Sequence, residues 1–265
     1  KGNTQGLLDM GVYPESLPGY QPYAANRDTF ARAWGCTLPE GGLDADGILQ
    51  EIESGKIRFL YLAATNPQTF PNSGRWLKAL EKLDVLVVQD IFPSEVTRLA
   101  SVVLPGVSYA EKSGSFTALD HSVRNLSQAL RPLGESREDG EIFAELYGRL
   151  TRNHLSFSPS GIFKEISELT DLYSSVETLG DERRTLLRKS PRVAAGALKY
   201  QLITVSDRAE GMQLLTGTSV HHFGTTSTHA PAPLEIEPQG LLYLNPHAIN
   251  RKIYLEGPQI TYCLN

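Results

Sequence analysis

Gln89 and Asp90 close one apolar run of the chain, and Asn66-Pro67 closes the run before it. An amide and a carboxylate at neighbouring strand ends could read the edge of a purine. Guanine presents N1–H and N2–H₂ donors that a carboxylate accepts, with O6 as an acceptor. The plainer reading is local: Asp90 caps the turn that follows it, and Asn66 makes an Asx turn ahead of Pro67. The opening Gly2-Asn3-Thr4-Gln5-Gly6 could turn backbone N–H groups towards a phosphate, as any glycine-rich loop could.

A second polar constellation lies late in the chain. Thr216-Gly217-Thr218-Ser219 is followed by His221-His222 and then by Gly224-Thr225-Thr226-Ser227-Thr228-His229. Adjacent histidines on a strand point to opposite faces, so they cannot share a metal there. No metal site is expected. The run reads as a loop that meets an anionic or pterin-like ligand, or as a solvated loop.

Several common chemistries are absent. No G-x-G-x-x-G follows a strand, and there is no G-x-x-x-x-G-K-[ST], which argues against a plain NAD dehydrogenase and a P-loop NTPase. Without G-x-S-x-G the chain is no ordinary α/β-hydrolase. Cys36 and Cys263 form no C-x-x-C, so neither a zinc site nor a cysteine-ligated cluster can be built from this chain alone. Both cysteines are expected to be free, buried thiols.

The elements that position these residues follow from periodicity. Residues 44–54 place Ile48, Leu49 and Ile52 on one helical face, with Asp44 as N-cap and Gly55 just past the end. Residues 57–63 and 85–88 read as buried strands around a helix at 73–82. Ser94 caps a helix at 95–100, and residues 102–104 are a third strand. Strands alternating with helices imply βαβ units and a doubly wound, mainly parallel sheet with apolar strand faces. Amphipathic helices follow at 138–150, with Ile142, Leu146 and Leu150 inward, and at 160–169. Residues 1–27 read as an irregular surface segment.

The character changes after Gly180. The expected organisation is an α/β domain over 1–180, a charged linker over 181–199, and a partial, β-rich, barrel-like domain over 200–265.

Composition sets the outer limits. The net charge is −5 with 21% charged residues, so the whole chain is no nucleic-acid binder, although local basic pockets remain open. No apolar run is long enough to span a bilayer. The chain starts at Lys1 without Met and inside a loop-like stretch, and so reads as a fragment.

These segments, in this order, resemble the molybdopterin oxidoreductase family. Residues 2–20 are similar to its G-x-N-x-Q-G-x-x-D-M-G loop ending in P-G-Y, and residues 83–117 to its most recognisable stretch. Residues 134–139 resemble G-E-x-R-x-D. Leu215-Thr216-Gly217 with His221-His222, then residues 244–248, resemble the start of its C-terminal cap. The resemblance implies a dinucleotide-binding domain that holds one guanine arm of a bis-molybdopterin cofactor. The contacts it implies are Asn3, Gln5, Gly6, Gln89, Asp90 and Asp139, with Thr216, Gly217 and His222 in the cap; Asn66 joins them as a candidate from its strand-end position. It assigns no catalytic residue and no molybdenum ligand.

Departures from the family pattern are equally specific. Its T-G-R reads Thr216-Gly217-Thr218, and its D-W reads Asp139-Gly140. Loss of such contacts points to a relative that kept the fold and lost or weakened the cofactor site. The G subunit of NADH-quinone oxidoreductase (respiratory complex I) is of that kind. The alternative is a formate dehydrogenase-type subunit binding molybdopterin guanine dinucleotide. By this resemblance the fragment holds no cofactor and serves electron transfer as a structural domain. The parent would carry iron–sulfur clusters further towards its N-terminus, and its partners would be the other subunits of a redox complex. A cytoplasmic location is implied, at the membrane surface in a peripheral arm, without membrane insertion.

Overall fold

The computed structural model describes residues 3–70, 72–176, 184–185, 229–236, 241–242 and 261–262. The chain divides into two compact units, residues 2–196 and residues 197–265 with Lys1.

In the larger unit, α1 (Thr4–Asp9) leads to a two-stranded antiparallel turn of β1 (Ser16–Leu17) and β2 (Gln21–Pro22), then α2 (Tyr23–Trp34). The expected irregular surface segment is therefore structured, and Gln5, Asp9, Ser16 and Leu17 within it are buried. The reason is long-range: its polar side chains find buried partners that no local pattern reveals.

The parallel sheet runs β3 (Phe59–Ala63), β4 (Val85–Asp90), β5 (Val102–Pro105), in that order. Preceding it is α3 (Ala45–Glu53), where Asp44 Oδ1 accepts the Gly47 N–H at 2.8 Å. The crossovers are α4 (Ser73–Leu80) and α5 (Glu95–Leu99). Ser94 and Thr97 cap α5 reciprocally.

Alternation along the strands sorts the side chains. Leu86 and Val88 point to the helix-covered face and pack with Leu80 and Val96. Leu49, Ile52, Trp76 and Ala79 form the adjoining cluster, where the Phe70 ring meets Trp76 edge-on at 5.6 Å. The other face carries Tyr61, Val87 and Gln89. Here α6 (Asp139–Thr151) approaches, and its Phe143 ring lies 6.0 Å from Tyr61.

Cover on this face is incomplete: Phe59, Val85 and Val102 are exposed, against the expectation of strands apolar and buried on both faces. The predicted inward stripe of α6 also stops early. Ile142 is buried, but Leu150 is 83% exposed, because the last turn of the helix has no apolar neighbour beneath it.

A separate antiparallel sheet joins β6 (Gly114–Thr117), β7 (Ser122–Leu126) and β8 (Arg184–Thr185). Its core is Val123, Phe163 of α7 (Pro159–Leu169), Tyr173 and Val176.

In the smaller unit, α8 (Pro231–Ile236) is followed by a parallel pair, β9 (Leu241–Leu242) with β10 (Thr261–Tyr262). Thr216, Gly217 and His222 lie outside the described residues, as do Cys263 and the expected limits at 180 and 200. Cys36 is a free cysteine and is exposed, not buried as expected, because it follows the left-handed Gly35 that ends α2 on the surface. No helix among the described residues is long and apolar enough to cross a membrane.

Candidate functional site at the carboxyl edge of the sheet

β4 delivers Gln89 and Asp90 to the carboxyl end of the sheet, where ligands collect in open α/β folds. Gln89 is only 1% exposed. Its Oε1 accepts the Tyr61 hydroxyl, and its Nε2 donates to Asp139 Oδ1 at 2.6 Å. The second Asp139 oxygen accepts Lys112 Nζ at 2.8 Å. A chain of four side chains thus runs Tyr61, Gln89, Asp139, Lys112, drawn from β3, β4, the start of α6 and the loop before β6.

Electrostatics follow from that placement. Burial, then the Asp139 charge, pushes the Tyr61 hydroxyl above its ordinary value. Burial likewise raises neighbouring Glu138, against the opposing Ser113 N–H. Carboxylates at the start of a helix are favoured by its dipole, which suits Asp139.

Asp90 is half-buried. Its Oδ1 accepts the Ile91 N–H at 2.7 Å, and its carbonyl accepts the Gly106 N–H at 3.0 Å. Asn66 Oδ1 accepts the Gln68 N–H at 3.0 Å, an Asx turn ahead of the short helical turn Pro67–Thr69.

The remaining sequence candidates gather elsewhere. Asn3 Oδ1 accepts the Thr117 N–H at 3.0 Å, tying α1 to β6. Gln5 Nε2 donates to Asp9 Oδ1 at 2.7 Å and to the Tyr20 hydroxyl at 2.9 Å. Asp9, 0% exposed, also accepts the Tyr173 hydroxyl at 2.9 Å, and that hydroxyl lies 2.7 Å from Thr117 Oγ1. Gly6 is required by the Asn3 clamp: a Cβ there would lie 2.2 Å from Asn3 Oδ1.

Asn3, Gly6, Gly114, Thr117, Phe163 and Tyr173 help line a cavity of about 240 Å³. Residues 112–117 connect it to the sheet edge, since Lys112 binds Asp139 while the following strand walls the cavity.

Position 140 is filled in an unexpected way. Where the family resemblance calls for tryptophan, the chain has Gly140, and a Cβ there would lie 2.0 Å from the Phe157 ring. An aromatic from the segment before α7 occupies the space a side chain at 140 would need.

The structure therefore brings Gln89 and Asp139 into contact and places Asn3 and Gly6 on one cavity. Asn66 and Asp90 each bond to backbone next to them. Sequence reasoning missed Tyr61, Tyr173 and Asp9. Tyr61 shares the strand face of Gln89, an alternation that could have found it; nothing local marks Tyr173. Among the described residues no group of three or more His, Cys, Asp or Glu is placed to hold a metal.

A family model described as molybdopterin oxidoreductase matches residues 26–149. The NADPH-Fe(3+) oxidoreductase subunit alpha of Geobacter sulfurreducens is 40% identical over 98% of this chain and 30% of that protein. A second NADH-quinone oxidoreductase G subunit of Rhizobium meliloti is 32% identical over 87% of this chain and 27% of that protein. The F420-dependent formate dehydrogenase 1 subunit alpha of Methanococcus maripaludis is 35% identical over 68% of this chain and 27% of that protein. The chain thus spans less than a third of these relatives.

Proposed function

We propose a function from the premise that the chain carries a molybdopterin oxidoreductase domain over residues 26–149. It is part of the large subunit of a nicotinamide-linked, multi-subunit oxidoreductase, nearest in kind to the G subunit of NADH-quinone oxidoreductase. In it the domain is a structural element of the electron-transfer assembly, with a weakened guanine site. The names of two relatives support the nicotinamide link: one is an NADPH-Fe(3+) oxidoreductase subunit, the other an NADH-quinone oxidoreductase subunit.

One observation carries the weakened site. A guanine edge would have to compete for Asp139 with partners the carboxylate already has, since one oxygen accepts Gln89 Nε2 and the other Lys112 Nζ. The Gln89 amide is committed as well, to Tyr61 and Asp139. Polar groups that satisfy each other stabilise the fold without a ligand, and a guanine would have to compete with them. The donor set as arranged does not fit a guanine at Asp139, so no chemical step is routed through the cofactor.

The second reading is a formate dehydrogenase-type subunit that binds molybdopterin guanine dinucleotide. Asp90 favours it, because among the described residues this half-buried carboxylate at the strand end accepts a side-chain hydrogen bond only from the Ile91 N–H next to it.

The deciding experiment purifies the full-length subunit from its own host. Molybdenum, and GMP released by acid hydrolysis, are then quantified while co-purifying subunits are identified. The expected result is an oxidoreductase assembly with sub-stoichiometric molybdenum and GMP. Stoichiometric amounts of both would overturn the structural reading in favour of the molybdenum enzyme.

A further inference from the structure

We propose that a groove along α6 is a binding site for a phosphate-bearing small molecule. The groove is a cavity of about 610 Å³ between α6 and residues 152–157. Small residues, Ala144 and Gly148, line it together with Arg137, Arg149, Arg152 and His154 and with the carboxylates Glu141 and Glu145.

The charges do not cancel within it. Arg137 Nη1 donates to Glu145, and Arg137 Nε lies 3.8 Å from Glu141. Arg149 reaches the same Glu145 through Nε at 2.9 Å and Nη2 at 2.5 Å. One carboxylate therefore bridges two guanidiniums, and their hydrogen bonds hold Glu145 below the ordinary carboxylate range. Arg152 and His154 make no ion pair among the described residues. Three guanidiniums thus face two carboxylates, and a net positive charge remains.

Arg149 has a local explanation, since a cation in the last helical turn offsets the partial charge of the carbonyls there. Arg152 has less of one. It ends α6 with φ +60° in the left-handed region, a conformation that glycine adopts without strain. The chain accepts that conformation and keeps a guanidinium among the residues that line the groove. Guanidinium forks match phosphate oxygens in pairs, and the volume suits a molecule larger than a lone carboxylate. The site is separate from the sheet-edge chain of Tyr61, Gln89, Asp139 and Lys112, and it holds whichever cofactor reading is right.

The test is calorimetric titration of the full-length subunit with inorganic pyrophosphate at low ionic strength, with citrate as the carboxylate control. Saturable pyrophosphate binding is expected, weakened about tenfold by Arg152→Gln, which removes a charge-assisted partner, and further by His154→Gln, which removes an imidazole donor. Both residues are exposed, so both variants should fold like the parent, as circular dichroism would confirm. Absence of saturable binding, binding unchanged in the double variant, or citrate binding as tightly would each overturn the assignment.

Discussion

Gln89 and Asp139, 50 positions apart in the chain, meet side chain to side chain at 2.6 Å. That bond locks the end of the central strand to the start of α6, the helix that approaches the face carrying Gln89. Gln89→Leu keeps the volume but leaves the Tyr61 hydroxyl and one Asp139 oxygen without their partner. The expected loss is about 1–3 kcal/mol of stability, read as a shift of the urea midpoint at unchanged m-value. A midpoint equal to the parent's would mean that water replaces the amide at little cost.

Gly6 and Asn3 make a sign-reversing pair. With Asn3 present, Gly6→Ala forces its carboxamide off the Thr117 N–H and is expected to destabilise by about 1 kcal/mol. In an Asn3→Ala background the same change meets no carboxamide and gains helix propensity in α1, stabilising by up to about 1 kcal/mol. Thermal melts of the four proteins give the coupling directly; additive effects would contradict the clamp.

Gly140 and Phe157 are coupled by sterics alone. Gly140→Ala should destabilise by about 1–3 kcal/mol because the ring must swing out of its place. Combined with Phe157→Ala, the alanine at 140 should become neutral or mildly stabilising, since alanine is the better helix former. The difference in melting temperature between the single and double variants tests it.

Tyr173 predicts an alkaline signature. Burial holds its hydroxyl protonated well above the ordinary tyrosine value of 10.0. The unfolded chain releases that proton at the ordinary value while the folded protein retains it. The stabilisation from this residue is therefore complete below about pH 10 and declines as pH rises towards the folded value. Urea unfolding followed between about pH 9 and 11 should show a shallower decline in Tyr173→Phe than in the parent. Equal slopes would mean that the hydroxyl is no more shielded than an exposed phenol.

Features set by neighbours in sequence were legible before the fold was known. Asp44 and Ser94 were readable as caps, and the three parallel strands were readable because their apolar runs sit between helical periods. Gln89 and Asp139 were readable as site candidates, but not as partners of each other, since hydrogen-bond pairing across 50 residues leaves no periodic trace. The first 27 residues misled for the same reason: Gln5 and Asp9 look like surface residues until Tyr20 and Tyr173 are placed against them. Leu150 misled in the opposite sense, because its spacing continues a stripe whose supporting surface has already ended.

The bond from Tyr173 to Asp9 also orders events in time. On the ribosome, β3, β4 and β5 have their strand partners once residue 105 has emerged, so that sheet can form early. α1 emerges before them, yet its bonds to Thr117 and Tyr173 can form only once those later residues are made. The leading residues of this stretch are thus among the last to dock, and a chaperone that holds nascent chains would meet Leu7 and Leu8 while the rest of the unit is still being made.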